Sequence, residues 1–209
     1  MKIDPAIRLY GILDLGYTAP EEIESATNAL LAGGVQILQL RAKNYAPAAV
    51  QDFAFRMLPI CRKAGVPLII NDHIEVAKAT EADGVHLGQD DASVAEARRQ
   101  LHEGALVGKS THSIEQAAKA KEEQPDYIGF GPLFATPTKP DYHPVGLADV
   151  EKVHQLIDLP IFCIGGIKLE NLPKVLAAGA RRVVIVSGLL LADDIAGRTR
   201  ECRQFLDAP

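Results

Sequence analysis

The sequence predicts an α/β protein, a single (βα)8 TIM barrel spanning residues 1–209. Two observations carry that expectation. Short apolar runs recur about every 20 to 30 residues, at Ile7–Leu13, Val35–Arg41, Pro67–Asn71, Gly84–Leu87, Ala105–Ser110, Asp126–Gly131, Pro160–Gly165 and Arg181–Ser187. Their unbroken apolar character suits strands of a parallel sheet covered on both faces. Between them lie segments with helical spacing, such as Ile114–Lys121 and Val175–Ala178. Strands alternating with helices make βαβ units, and eight units in one chain suggest a closed barrel. A doubly wound open sheet is the alternative, but the first turn, Asp14-Leu-Gly-Tyr17, lacks a dinucleotide fingerprint.

The punctuation between the runs agrees. Ala32-Gly33-Gly34, Ala64-Gly65-Val66-Pro67 and Ala178-Gly179-Ala180 read as helix stops. Ser113-Ile-Glu-Gln116 has the form of a capping box opening the fifth helix. Pro59 should kink the long second helix, because it lacks a donor and crowds the preceding turn. One connection is unusually long, Pro132 to about Val145, and loops of that length tend to be functional lids or disordered. With Thr136, Thr138 and Lys139 it reads as a lid over an anionic ligand.

Composition narrows the classes of function. Hydrophobic residues make up 47% of 209 residues, ample for one core. A net charge of −5 argues against a nucleic-acid partner, which needs a basic face. No apolar run approaches the roughly 18 residues that span a bilayer, and the N-terminus does not read as a signal peptide. The expectation is therefore a cytoplasmic protein without a nucleic-acid or membrane partner, with a homo-oligomeric state left open. Cys61, Cys163 and Cys202 fit neither a disulfide framework nor a zinc pattern, so packing roles are expected.

In such a barrel the chemistry sits at the carboxyl ends of the strands. The second strand ends Gln39-Leu-Arg41-Ala-Lys43, where period two sets an amide and two cations on one face, suited to phosphate oxygens or to surface ion pairs. The third ends Asn71-Asp72 and the fourth runs from His86 to Gln89-Asp90-Asp91. Carboxylates at neighbouring strand ends can share one Mg2+, which takes one or two carboxylates. Taken singly, Asp72 with Glu75 also resembles a capping box, and Asp91 could N-cap the fourth helix. The fifth strand ends Lys109-Ser110-Thr111-His112, with Ser110 and His112 on one face. The last two strands end Ile164-Gly165-Gly166 and Val186-Ser187-Gly188, where barrels often bind phosphate through backbone N–H groups.

Taken together and in order, Gln39–Lys43, Asn71-Asp72, His86–Asp91, Ser110–His112, Gly131–Lys139, Ile164–Ile167 and Val186-Ser187 resemble the thiamine phosphate synthase family over nearly the whole chain. The resemblance implies a transferase that condenses 4-amino-2-methyl-5-pyrimidinylmethyl diphosphate with 4-methyl-5-(2-phosphoethyl)thiazole, or its carboxylated precursor, and releases pyrophosphate. It further implies one Mg2+ per subunit, held by Asp72 and Asp91. Gln39, Leu40, Arg41, Ala42, Lys43, Asn71, Ser110 and Lys139 would bind the pyrimidine diphosphate. Among these, Arg41, Lys43, Ser110 and Lys139 would act in catalysis. Thr136, Pro137, Thr138, Gly166, Val186 and Ser187 would bind the thiazole phosphate. The implied mechanism is a dissociative substitution, in which the electron-rich pyrimidine stabilises a cation once pyrophosphate leaves. Two stretches depart from the family pattern: Lys109, a cation where an apolar residue is expected, and the insert Pro140–Pro144. The rival readings are a thiazole tautomerase of the same fold, using a fifth-strand His such as His112, and a non-catalytic phosphate-binding barrel.

Overall fold

The computed structural model describes residues 3–136 and 143–208. Eight parallel strands close on themselves in sequence order: β1 (Leu9–Asp14), β2 (Ile37–Arg41), β3 (Leu68–Asn71), β4 (Gly84–Leu87), β5 (Leu106–Thr111), β6 (Tyr127–Phe130), β7 (Ile161–Cys163) and β8 (Val183–Ile185). Helices α1 (Ile23–Ala32), α2 (Pro47–Ala64), α3 (Ile74–Thr80), α4 (Val94–Gln100), α5 (Ile114–Glu123), α6 (Val150–Leu156) and α7 (Leu172–Ala177) follow the first seven strands. After β8 come the four-residue α8 (Ser187–Leu190) and the closing α9 (Ile195–Asp207). All eight expected runs are strands, shifted by a few residues at their ends. The eighth differs most: it stops at Ile185, because Ser187 already opens α8.

Strand alternation divides the apolar residues into two clusters. Tyr10, Ile12, Ile37, Ile69, Leu106, Tyr127, Phe162 and Val184 pack inside the barrel. The alternate residues, among them Leu9, Leu38, Leu40, Leu68, Val85, Val107, Ile128, Cys163 and Val183, pack outward against the helices. The second cluster is much the larger, because the barrel interior holds only the inward half of each short strand.

The helix boundaries follow local chemistry. Pro47 opens α2, and Gly65 ends it in the left-handed conformation, φ 67°. The helix runs on through Pro59, whose ring lies on the exposed side. At α5 the Ser113 hydroxyl accepts from the Gln116 N–H, as expected, but the Gln116 side chain accepts from the backbone N–H of His112 rather than of Ser113. The box is offset by one residue and so also braces the end of β5.

The three cysteines are free and buried. Burial pushes the thiols of Cys61 and Cys163 up to about 12, and Asp83 adds to the rise at Cys61. They act as small apolar side chains. Among the described residues no helix is long and apolar enough to cross a membrane.

Close strand contact sets the sharpest steric demand. A Cβ on Gly84 would run into the carbonyl oxygen of Leu106 on the neighbouring strand. Gly84→Ala should therefore cost about 2–3 kcal/mol through backbone displacement and lower the melting temperature by roughly 5–10 °C. Thermal denaturation by circular dichroism measures this. A midpoint equal to that of the parent would show that β4 and β5 can part at no cost.

Candidate active site

Alternation that sends leucines and valines outward brings a different set of side chains to the C-terminal mouth. The inward positions nearest the strand ends are Asp14, Gln39, Arg41, Asn71, His86, Ser110, Ile164 and Val186. All but Asp14 line a single central cavity, together with His112, Thr136, Gly166 and Ser187. Residues 39, 41, 71, 110, 136, 166, 186 and 187, expected from the sequence to meet ligands, thus converge on one space. Leu40 and Ala42 do not: both side chains are buried in the outer cluster and face away from the cavity. Pro137, Thr138 and Lys139 lie outside the described residues, as do positions 140–142 of the insert.

Arg41 is aimed by a residue that the sequence reading passed over. Asp14 stands opposite it in the β1–β2 register, is buried, and accepts a 2.6 Å hydrogen bond from Arg41 Nη1. The other Asp14 oxygen accepts from the Gly16 N–H at 2.9 Å. A buried carboxylate with both oxygens occupied fixes a guanidinium in place, which a surface pair does not. An acid ending one strand beside an arginine ending the next is the signal that could have found it.

Beneath the cavity a chain of hydrogen bonds crosses the barrel. Gln39 Nε2 donates to the Tyr10 hydroxyl at 2.6 Å, which lies 3.1 Å from that of Tyr127. Tyr127 meets His86 Nδ1 at 3.2 Å, and His86 Nε2 lies 2.9 Å from the Ser110 hydroxyl. Burial drives both phenols far above their ordinary range, so they stay protonated. The chain joins two of the side chains expected to bind the pyrimidine diphosphate, Gln39 and Ser110, through Tyr10, Tyr127 and His86, to which the sequence reading gave no ligand. His112 is held separately, its Nδ1 2.5 Å from the Gly131 carbonyl.

The carboxylates expected to hold metal meet at the mouth's rim. Asp72 does not cap α3, whose N-cap is His73 with no side-chain cap bond. Asp91 does not cap α4 either, since Ser93 does so. Asp72 instead adopts a left-handed backbone, φ 65°, with its N–H donated to the His86 carbonyl. Asp91 Oδ2 accepts from the Gly88 N–H at 2.6 Å, and the Gln89 side chain donates to the Ser110 carbonyl. These bonds set the two carboxyl groups in hydrogen-bonding contact. Burial, then the Asp91 carboxyl, push Asp72 upward. Burial alone would also raise Asp91, but the bonds from Asp72 and Gly88, with Lys43 and Lys109 nearby, turn its shift downward. Lys43 Nζ stands 3.4 Å from Asp72. Among the described residues no group of three or more acidic, His or Cys side chains could hold a metal. Two facing carboxylates do fit Mg2+, which fills its shell with water and substrate phosphate.

The opposite rim is shaped by a glycine loop. Gly166 has φ 65°, and a Cβ there would lie 2.9 Å from the Ala135 carbonyl, so only glycine leaves the loop in this shape. Asn171 locks it, donating to the Gly166 carbonyl and accepting from the Lys168 N–H, both at 2.8 Å. Gly166 and Ser187 border both the central cavity and an outer one that also holds Lys168 and Arg198.

Residues 9–189 match the family model described as thiamine monophosphate synthase. A thiamine-phosphate synthase of Chloroflexus aurantiacus is 40% identical over 200 residues, covering 95% of this chain and 92% of that one. A thiamine-phosphate synthase of Thermus thermophilus is 45% identical over 181 residues, covering 86% and 87%. Among solved structures, thiamine phosphate pyrophosphorylase from Pyrococcus furiosus superposes with a TM-score of 0.88 at 28% identity, over 96% of each chain. On a sequence match that runs nearly end to end, the chain belongs to the thiamine monophosphate synthase family.

Proposed function

We propose that the barrel mouth joins 4-amino-2-methyl-5-pyrimidinylmethyl diphosphate to 4-methyl-5-(2-phosphoethyl)thiazole, or its carboxylated precursor, giving thiamine phosphate and pyrophosphate. The observation that carries this is one cavity with Arg41 at one side, a glycine-shaped edge at another and an uncharged floor between them. Beyond Arg41 and Asn71 on the one side stand Lys43 and the Asp72/Asp91 pair; the other side is the Gly166–Ser187 edge. That layout suits two phosphorylated substrates meeting over the centre.

Each residue then has a physical task. Gln39, Asn71 and Ser110 hydrogen-bond the pyrimidine end and orient it. Arg41 and Lys43, with Lys139, bind the diphosphate and offset charge that builds on it as the carbon–oxygen bond breaks and the electron pair departs with pyrophosphate. Asp72 and Asp91 would hold Mg2+, which when bound would supply the remaining neutralisation of that leaving group. Thr136, Pro137, Thr138, Gly166, Val186 and Ser187 hold the thiazole phosphate, so that the thiazole nitrogen donates its lone pair to the exposed carbon. The protein needs no nucleophile of its own. A cytoplasmic setting accords with three buried, unoxidised thiols.

Release of pyrophosphate on incubation with both substrates tests the assignment, and its absence would refute it. Asp72→Ala and Asp91→Ala should each lower that release by about a hundredfold or more while leaving the far-ultraviolet circular dichroism intact; full activity of both, or of the parent in EDTA, would remove the metal from the mechanism. Ser187→Asp should weaken thiazole phosphate binding at least about tenfold by like-charge repulsion and hardly affect the pyrimidine diphosphate, as separate titrations would reveal; equal losses would argue against two distinct rims. Tyr127→Phe keeps the ring but cuts the chain between Tyr10 and His86. It should lower kcat by roughly tenfold through lost positioning of Ser110, with the thiazole KM unchanged; a parent-like kcat would leave the chain structural only.

A further inference from the structure

Two cavities share the Gly166–Ser187 edge, and the reaction as assigned fills only one of them. The central cavity lies on the inner side of Gly166 and Ser187, and a second cavity of about 400 Å3 lies on the outer side. One water occupies roughly 30 Å3 in the liquid, so the outer space admits a group much larger than water. Its charged lining groups are Lys168, Glu170 and Arg198.

Glycine keeps the edge between them low. Gly166 has no side chain to wall one space from the other. Gly188 brings the start of α8 against the loop after β7: a Cβ there would lie 2.8 Å from the Ile167 carbonyl oxygen and 3.2 Å from the Lys168 Cα. Asn171 holds the same loop through Gly166 and Lys168, so the Lys168 backbone is fixed beside the edge. Its side chain is exposed and makes no ion pair among the described residues. Arg198 enters from α9, with Nη1 2.8 Å from Glu170 and Nε 3.5 Å from Glu201. A guanidinium carries five N–H donors, so these contacts leave it capacity for an anion.

We infer that the outer cavity is a subsite for a second phosphoryl group on the thiazole side, through which the barrel mouth takes the diphosphate ester of its own product. The inference rests on the substrate assignment proposed above and extends it. A phosphate seated on the Gly166–Ser187 edge borders both cavities, and the ring it is attached to occupies the inner one. A further phosphoryl group, one bridging oxygen away, therefore extends into the outer one, where Lys168 and Arg198 donate to its oxygens. Glu170 is compatible with that anion because Arg198 already holds it. The monophosphate product stops at the edge and leaves the outer cavity empty. The diphosphate ester fills both, binds more tightly than the product, and shuts out the thiazole phosphate. The enzyme is thereby restrained by a more highly phosphorylated form of what it makes.

The test is calorimetric titration of the whole protein with thiamine phosphate and with thiamine diphosphate, both in EDTA so that no cation at the opposite rim contributes. The diphosphate should bind at least about tenfold more tightly, the scale of one charge-assisted hydrogen bond, and should displace the thiazole phosphate. Lys168→Ala trims an exposed side chain and keeps the backbone bond to Asn171. It should remove most of that gain while leaving thiamine phosphate binding and pyrophosphate release unchanged. Arg198→Gln is the second variant, with the same expectation. A diphosphate bound no more tightly than the monophosphate, or a gain that survives in both variants, would overturn the inference and leave the substrate assignment standing. Failure of thiamine phosphate to bind at all would overturn both.

Discussion

The hydrogen-bonded closure of β8 onto β1 is the constraint on which the site depends. Leu9, Tyr10 and Gly11 stand opposite Val183, Val184 and Ile185, and with that pairing no strand is an edge. A closed sheet has one inside, so the inward or outward direction of every residue is fixed around the whole ring. A register slip of one residue in any strand would turn its mouth residue into the helix layer. Closure is also what makes distant positions neighbours: Arg41, Ser110 and Val186 are far apart in sequence and line one cavity.

The interior under that cavity is neither purely apolar nor wet. Tyr10, Tyr127 and Phe162 pack edge to face, with ring centroids 5.4 to 5.9 Å apart, an arrangement that matches ring edges to ring faces. Their hydroxyls would be costly to bury alone. Passing each one to a neighbour, from Gln39 through to Ser110, satisfies them in series. The result is a floor whose polar atoms are oriented before any ligand arrives. Rigid support of this kind is what a positioning mechanism requires, since small displacements of bound groups have large effects on rate.

Much of this was legible in the sequence, for identifiable reasons. Runs apolar on both faces announce a covered parallel sheet, and glycines such as Gly65 mark the helix ends. Strand period two placed Gln39 and Arg41 together correctly. At Asp72 and Asp91 the sequence offered capping beside the metal reading: the spacing to Glu75 mimics a cap, while the left-handed backbone that turns Asp72 toward Asp91 has no one-dimensional signature. The same holds for Tyr10 and Tyr127, which lie within two of the apolar runs and carry no motif there. Their hydroxyls become a relay only because β1 and β6 face each other across a closed ring. Leu40 and Ala42 were included with their motif, but alternation sends their side chains outward.

The aromatic floor has a consequence for how the molecule is seen in solution. The chain has five tyrosines and no tryptophan, so tyrosine dominates its near-ultraviolet absorption and emission. Tyr10 and Tyr127 are buried in a packed array of rings, and that array is the underside of the central cavity. The protein therefore carries its own optical reporter at the floor of the barrel mouth, one whose dichroic signal is weighted toward the central cavity rather than the surface.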